Sequence, residues 1–175
     1  FINWFETQSW SEKKLLELGS GSSTLYFSKF FKSLTSLENN QDWYAKLLNE
    51  IPESVNLKNA SSVLDALKDE KINDFDVILI DPFENRAKIS RYLVNNKFKG
   101  IIFFDNSEWY RSSIQMFVSL GYVEIPFFGI KPIEDWVSCT SVLIRDKDIV
   151  DIFKPDWKKL PKFASFNSLN VWDNE

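Results

Sequence analysis

The chain has 175 residues, 44% of them hydrophobic, enough for one α/β domain with a real core and too few for two of ordinary size. A formal charge of -4 gives it no overall attraction to a phosphate backbone, which disfavours nucleic acid as a substrate and points to a small-molecule partner. It contains no histidine, so acid–base work falls to Asp, Glu, Lys, Tyr or a bound metal.

The lone Cys139 has no partner for an internal disulfide, and export is not expected. No apolar run approaches the ~20 residues of a membrane helix. These features predict a soluble, cytoplasmic protein; the oligomeric state is left open.

In chain order, Lys13 to Leu18 is a short apolar run closed by the turn Gly19-Ser20-Gly21, which predicts a buried strand entering a tight loop. Phe27, Phe30 and Phe31 then repeat at helical spacing, with Ser22, Ser23 or Thr24 as cap. Leu34 to Glu38 reads as a second strand, and Trp43, Leu47 and Ile51 mark a helical face ended by Pro52. Val55 to Leu57 is a weak third strand, followed by a helix that starts at Ser62, three residues before Asp65.

Asp76 to Asp81 has the apolar run of a parallel strand buried on both faces. A helix through Ile89, Tyr92 and Leu93 follows, then the strand Gly100 to Phe104, then a helix through Ile114, Phe117 and Val118 that Gly121 ends. The last two strands, Tyr122 to Phe127 and Val137 to Ile144, are separated by a loop with Gly129, Pro132 and Trp136, which predicts an antiparallel end to the sheet. The repeated βα alternation thus predicts a doubly wound, mostly parallel, seven-stranded sheet with an antiparallel last strand. Residues 1–150 are expected to form this domain and residues 151–175 an extension, which carries the basic stretch Lys154 to Lys162.

Glu17-x-Gly19-x-Gly21 stands where a first strand turns into a helix, with Ser20 between the glycines. Such a loop lets backbone approach a ligand and offers free amides to an anionic group. Glu38 ends the next strand, where a carboxylate can accept bonds from both hydroxyls of a ribose. Asn59-Ala60 follows the third strand, placing a side-chain amide and a backbone N–H where they can read a base edge. Asp81 ends the fourth strand at the carboxyl edge of the sheet, where open α/β sheets place ligands, although an Asp-Pro turn with Pro82 is the plain alternative. Trp109, Tyr110, Phe127, Phe128 and Trp136 fall in loops near that edge or beside the final strands and are candidate walls for a second ligand.

The run Leu15 to Thr24, the strand-end Glu38, Asp76 to Asp81 and Gly100 to Asn106 together resemble class I S-adenosylmethionine (SAM) dependent methyltransferases, over roughly Lys13 to Ile144. The resemblance implies a Rossmann-like fold and SAM as cofactor. It also implies that Glu17, Gly19, Ser20 and Gly21 form the loop at the methionine end, that Glu38 holds the ribose, that Asn59 and Ala60 face adenine, and that Asp81 borders the cofactor. A small-molecule acceptor is the expected partner, methylated on a hydroxyl oxygen if a metal is bound, with nitrogen and carboxylate acceptors left open and Asp81, Glu84 and Asp105 as candidate bases or orienters.

A narrower resemblance is to the catechol and caffeoyl-coenzyme A O-methyltransferases. It implies a divalent cation, Mg²⁺ or a relative, on Asp81, Asp105 and Asn106. The chain departs from that branch in carrying Glu84 where those enzymes have a catalytic lysine; Lys88 lies one helical turn on. Three alternatives remain open: a SAM-binding protein without turnover, a nicotinamide-dinucleotide oxidoreductase, and a nucleic-acid modifier using Lys154, Lys158, Lys159 and Lys162. The dinucleotide fingerprint asks for a third small residue where this chain has the β-branched Thr24.

Overall fold

The structure, a computed structural model, describes residues 1–130 and 136–145. Pro132, the stretch Lys154 to Lys162 and the expected extension at 151–175 lie outside the described residues.

The chain opens with a four-residue helix α1 (Ile2–Phe5) that the sequence pattern does not announce, then enters β1 (Lys14–Leu18). The expected alternation follows: α2 (Ser22–Phe27), β2 (Ser33–Glu38), α3 (Gln41–Leu47), β3 (Val55–Asn59), α4 (Val63–Lys68), β4 (Val77–Ile80), α5 (Arg86–Asn95), β5 (Ile101–Asp105) and α6 (Arg111–Val118). The hairpin β6 (Tyr122–Ile130) and β7 (Val137–Arg145) ends the described fold.

The strands form one sheet in the order β3-β2-β1-β4-β5-β7-β6. β7 is antiparallel to both β5 and β6, so it alone runs against the rest. Strand order reverses between β1 and β4, which pair in parallel through Leu15–Val77 to Leu18–Ile80. That reversal opens a crevice at the carboxyl ends of these strands.

Side chains alternate across each strand, so β1 sends Leu16 and Leu18 to one face and Leu15 and Glu17 to the other. The first face packs with Leu37, Ile78, Ile80, Ile102 and Phe104 under α4, α5 and α6, through Leu67, Ile89, Leu93, Ile114 and Phe117. The second joins Leu15, Leu34, Val77, Leu79 and Phe103 to an aromatic layer of Phe5, Trp10, Phe27 and Phe31. Phe5 lies parallel to Trp10, centroids 5.1 Å apart, and meets Phe27 edge-on at 4.9 Å.

Two helices end earlier than the apolar spacing predicts. α2 stops at Phe27, yet turn bonds from the Phe30 and Phe31 N–H groups to the Phe27 carbonyl keep both later rings near that layer. α3 stops at Leu47, with Ile51 reached through a turn. In contrast, β6 runs three residues beyond the expected Phe127, because Phe128, Gly129 and Ile130 continue the ladder to Cys139, Ser138 and Val137. Among the described residues no helix is long and apolar enough to cross a membrane.

Candidate functional site: two clefts at the carboxyl edge

The turn after β1 is fixed from both sides. Gly19 donates its N–H to the Leu37 carbonyl, and Asp81 donates to the Leu18 carbonyl, so the loop is stitched to β2 and to the end of β4. Gly19 has φ +90°, and a Cβ there would lie 2.5 Å from the Asp81 carbonyl oxygen. Only glycine satisfies both the left-handed backbone and that approach. At Gly21 the backbone is extended, and an added Cβ would come no closer than 3.7 Å, to Ser23 Oγ. The first glycine therefore belongs to the fold, while the second borders open space.

Glu17 lies beneath this loop and is 0% exposed. Its carboxyl accepts from Ser23 Oγ at 2.5 Å, Thr24 Oγ1 at 2.5 Å and Ser36 Oγ at 2.6 Å. Burial outweighs these donors and pushes its pKa up to about 7, with the charge of Glu38 adding to the rise. Glu17 lines neither cleft, and its carboxyl braces the loop from below through these hydroxyls.

Glu38 closes the other wall and is 5% exposed. Its Oε2 accepts from the Ser20 N–H at 2.9 Å; its Oε1 accepts from the N–H groups of Asn39 at 2.9 Å and Asn40 at 2.7 Å. Three backbone donors hold the carboxylate in one orientation at the cleft wall. Trp43 Nε1 donates to the Ser20 carbonyl at 2.7 Å, and Lys46 sits over the indole ring, 4.7 Å from its centroid. Apolar spacing placed Trp43 on a helical face with Leu47 and Ile51; its polar edge also ties α3 to the loop.

These residues enclose a cleft of about 1130 Å³, lined by Gly19 to Ser23, Glu38 to Asn40, Asp42, Trp43, Lys46, Asp81, Phe83 and Arg86. Phe83 stands at its wall 93% exposed. A second cleft of about 550 Å³ adjoins it, with apolar walls from Phe1, Ile2, Phe27, Phe127, Phe128 and Ile130, and polar groups from Asp105, Ser138 and Thr140. Ser23 and Asp81 line both clefts. A further cavity of about 670 Å³, at the amino end of the parallel strands between Trp10, Lys13, Lys99 and Ile144, contains none of the predicted site residues.

The structure places the remaining candidates unequally. Asn59 turns to Gln41, and the Ala60 N–H donates to the Glu38 carbonyl at 2.9 Å, so this turn is spent on the β2–β3 edge and lines neither cleft. Glu84 is exposed and also lies outside both. Phe127 and Phe128 line the smaller cleft, whereas Trp109, Tyr110 and Trp136 do not.

The three expected metal ligands each accept from a neighbouring protein donor. Asp81 Oδ1 accepts from Arg86 Nη2 at 2.6 Å and Asn106 Oδ1 from Arg86 Nη1 at 3.2 Å, while the Asp105 carboxylate accepts from Thr140 Oγ1 at 2.7 Å. Among the described residues, no group of three or more His, Cys, Asp or Glu side chains is arranged to hold an ion. Arg86 thus holds one carboxylate oxygen of Asp81 and the amide oxygen of Asn106, while the Asp105 carboxylate pairs with Thr140.

Arg86 lines the larger cleft and was not among the residues expected there from the sequence. A signal was present: it is the first residue of α5, where the helix macrodipole disfavours a cation unless an anionic partner lies close.

No protein-family model matches the chain, and no curated protein matches it in sequence. Solved structures do match its fold. One is a precorrin-6y C5,15-methyltransferase from Geobacter metallireducens, 14% identical over 81% of this chain and 86% of that one, with a TM-score of 0.62. Another is an rRNA methylase from Streptococcus thermophilus, 7% identical over 81% and 92%, with a TM-score of 0.60. A third is fibrillarin from Aeropyrum pernix with natively bound SAM, 12% identical over 78% and 68%, with a TM-score of 0.60. The chain thus has the Rossmann-like fold of class I SAM-dependent methyltransferases, with the antiparallel β7 that the sequence pattern predicts.

Proposed function

We propose that the chain binds SAM in the larger cleft and directs its methyl group to a hydroxyl oxygen of a small acceptor held in the smaller one. The observation that carries this reading is that the two clefts meet at Ser23 and Asp81, on the carboxyl edge of a methyltransferase fold. The residues fit the cofactor: Glu38 presents an oriented carboxylate for the ribose hydroxyls, and the wall beside Gly21 is open to the methionine end.

Bound SAM supplies an electrophilic methyl on a sulfonium, so the protein's share is alignment, exclusion of water and proton handling. Asp81, at the junction, would orient the acceptor or take its proton, and Asp105 in the wall of the smaller cleft is the second candidate. Apolar walls and about 550 Å³ of space suit a small, partly apolar acceptor. The net charge of -4 favours that choice over RNA. In this proposal residues 1–150 are the SAM-binding unit and 151–175 an extension of it.

Isothermal titration with S-adenosylhomocysteine and with NADH tests the cofactor. The first should bind one molecule per chain and the second should not. Glu38→Ala should weaken binding by about 10- to 100-fold, the equivalent of one charge-assisted bond. Binding of NADH without S-adenosylhomocysteine would overturn the proposal in favour of an oxidoreductase.

A further inference from the structure

Arg86 is 7% exposed and stands at the start of a helix, two circumstances that act against a guanidinium. Its donors answer both. Nε donates to the Pro82 carbonyl at 2.9 Å, Nη1 to the Asp105 carbonyl at 2.5 Å and to Asn106 Oδ1 at 3.2 Å, and Nη2 to Asp81 Oδ1 at 2.6 Å. The Tyr110 ring lies 5.4 Å from the guanidinium carbon. One planar fork thus binds the turn after β4 and the end of β5, beside the junction of the clefts.

We propose that the Arg86 guanidinium is the resident cation of this oxygen cluster and that the site therefore works without a divalent metal. The second half rests on the methyl-transfer reading; the first does not. A hard dication takes about six to eight oxygen ligands. Here one oxygen each of Asp81, Asn106 and the Asp105 backbone already accepts from Arg86. A dication beside it would also meet the like charge of the guanidinium and compete with it for the Asp81 carboxylate.

The chemical consequence concerns the acceptor. A guanidinium donates hydrogen bonds in fixed directions and has no open coordination position, so two neighbouring hydroxyls of an acceptor are not chelated here. They are instead oriented by the Asp81 carboxylate and the Asp105–Thr140 pair, both in the wall of the smaller cleft.

The test uses the chain as it stands, with Mn²⁺ and methylguanidinium as probes. In electron paramagnetic resonance, the free Mn²⁺ signal should be unchanged by wild-type protein and by Arg86→Lys, which keeps the charge. Arg86→Ala leaves a gap among four oxygens, and millimolar methylguanidinium should raise its melting temperature while leaving the wild type unshifted or slightly lowered. Stoichiometric uptake of Mn²⁺ by the wild type, abolished in Asp81→Asn, would overturn the proposal. So would a folded Arg86→Ala variant that methylguanidinium does not stabilise. Should Arg86→Ala fail to fold by circular dichroism, the wild-type and Arg86→Lys titrations decide. Binding of S-adenosylhomocysteine is measured on the same wild-type sample; its absence defeats the methyl-transfer reading without touching the cation assignment.

Discussion

Glu17 and the two loop glycines show how differently neighbouring residues serve one turn. Glu17 is raised to a pKa of about 7 from an ordinary 4.5, so between these values the native state holds a proton that the unfolded chain has released. Its contribution to stability is fully present below 4.5, is lost as pH rises to about 7, and changes no further above that. Urea midpoints at about pH 5 and pH 8 should therefore differ more in the wild type than in Glu17→Gln, which can still accept from the hydroxyls. Equal differences in both would show Glu17 ionised throughout. Gly19→Ala should cost about 1–3 kcal/mol in the same assay, since the new methyl meets backbone. Gly21→Ala should cost under about 1 kcal/mol, and Gly21→Val should lose S-adenosylhomocysteine affinity while keeping the fold. Comparable destabilisation by both alanines would contradict the division of roles.

Helix α1 gives the clearest case at the scale of an element. Four residues cannot persist as a helix in water, because nucleation is unfavourable and there is almost no propagation to offset it. It exists because Phe5 is buried against Trp10, Phe27 and Phe30, and because the Trp10 indole N–H donates to the Phe5 carbonyl at 2.9 Å. The same docking brings Phe1, Ile2 and Asn3 to the wall of the smaller cleft. Phe5→Ala is expected to destabilise by about 3–5 kcal/mol, as for other buried aromatics, with loss of near-ultraviolet circular dichroism from the Trp10 environment. A loss below about 1 kcal/mol would mean that α1 is not docked in solution. Phe1, Trp4 and Phe5 do fall at helical spacing, but five residues without a capping side chain are too few to mark a helix, and its partners, from Trp10 to Phe103, select its conformation.

For the whole molecule, a cofactor that binds the native state alone adds stability by mass action, about 2.7 kcal/mol at a hundred times its Kd. For a chain of this size that corresponds to a rise in Tm of roughly 5–10 °C. S-adenosylhomocysteine should produce it in differential scanning fluorimetry and NADH should not. An unmoved Tm at saturating S-adenosylhomocysteine would argue against the larger cleft as its site. The doubly wound order supports the expectation, since the strand order reverses between β1 and β4, and the loops of Gly19 and Asp81 that follow these two strands both line the larger cleft.

Local pattern in the sequence was sufficient for the seven strands, their order of appearance, the loop at Gly19 to Gly21 and the strand-end acids Glu38, Asp81 and Asp105. Periodicity, turn glycines and capping act over a few residues and need no knowledge of distant partners. Tertiary structure alone decided that Glu17 is buried under Ser23, Thr24 and Ser36, that Asn59 and Ala60 are spent on the sheet edge, and that Trp43 ties a helix to the loop. It also decided that Arg86 lies among Asp81, Asn106 and the Asp105 carbonyl. The physical reason is common to all four: an oxygen's partner is whichever donor the packing of remote segments brings within about 3 Å, and one-dimensional spacing carries no record of that approach.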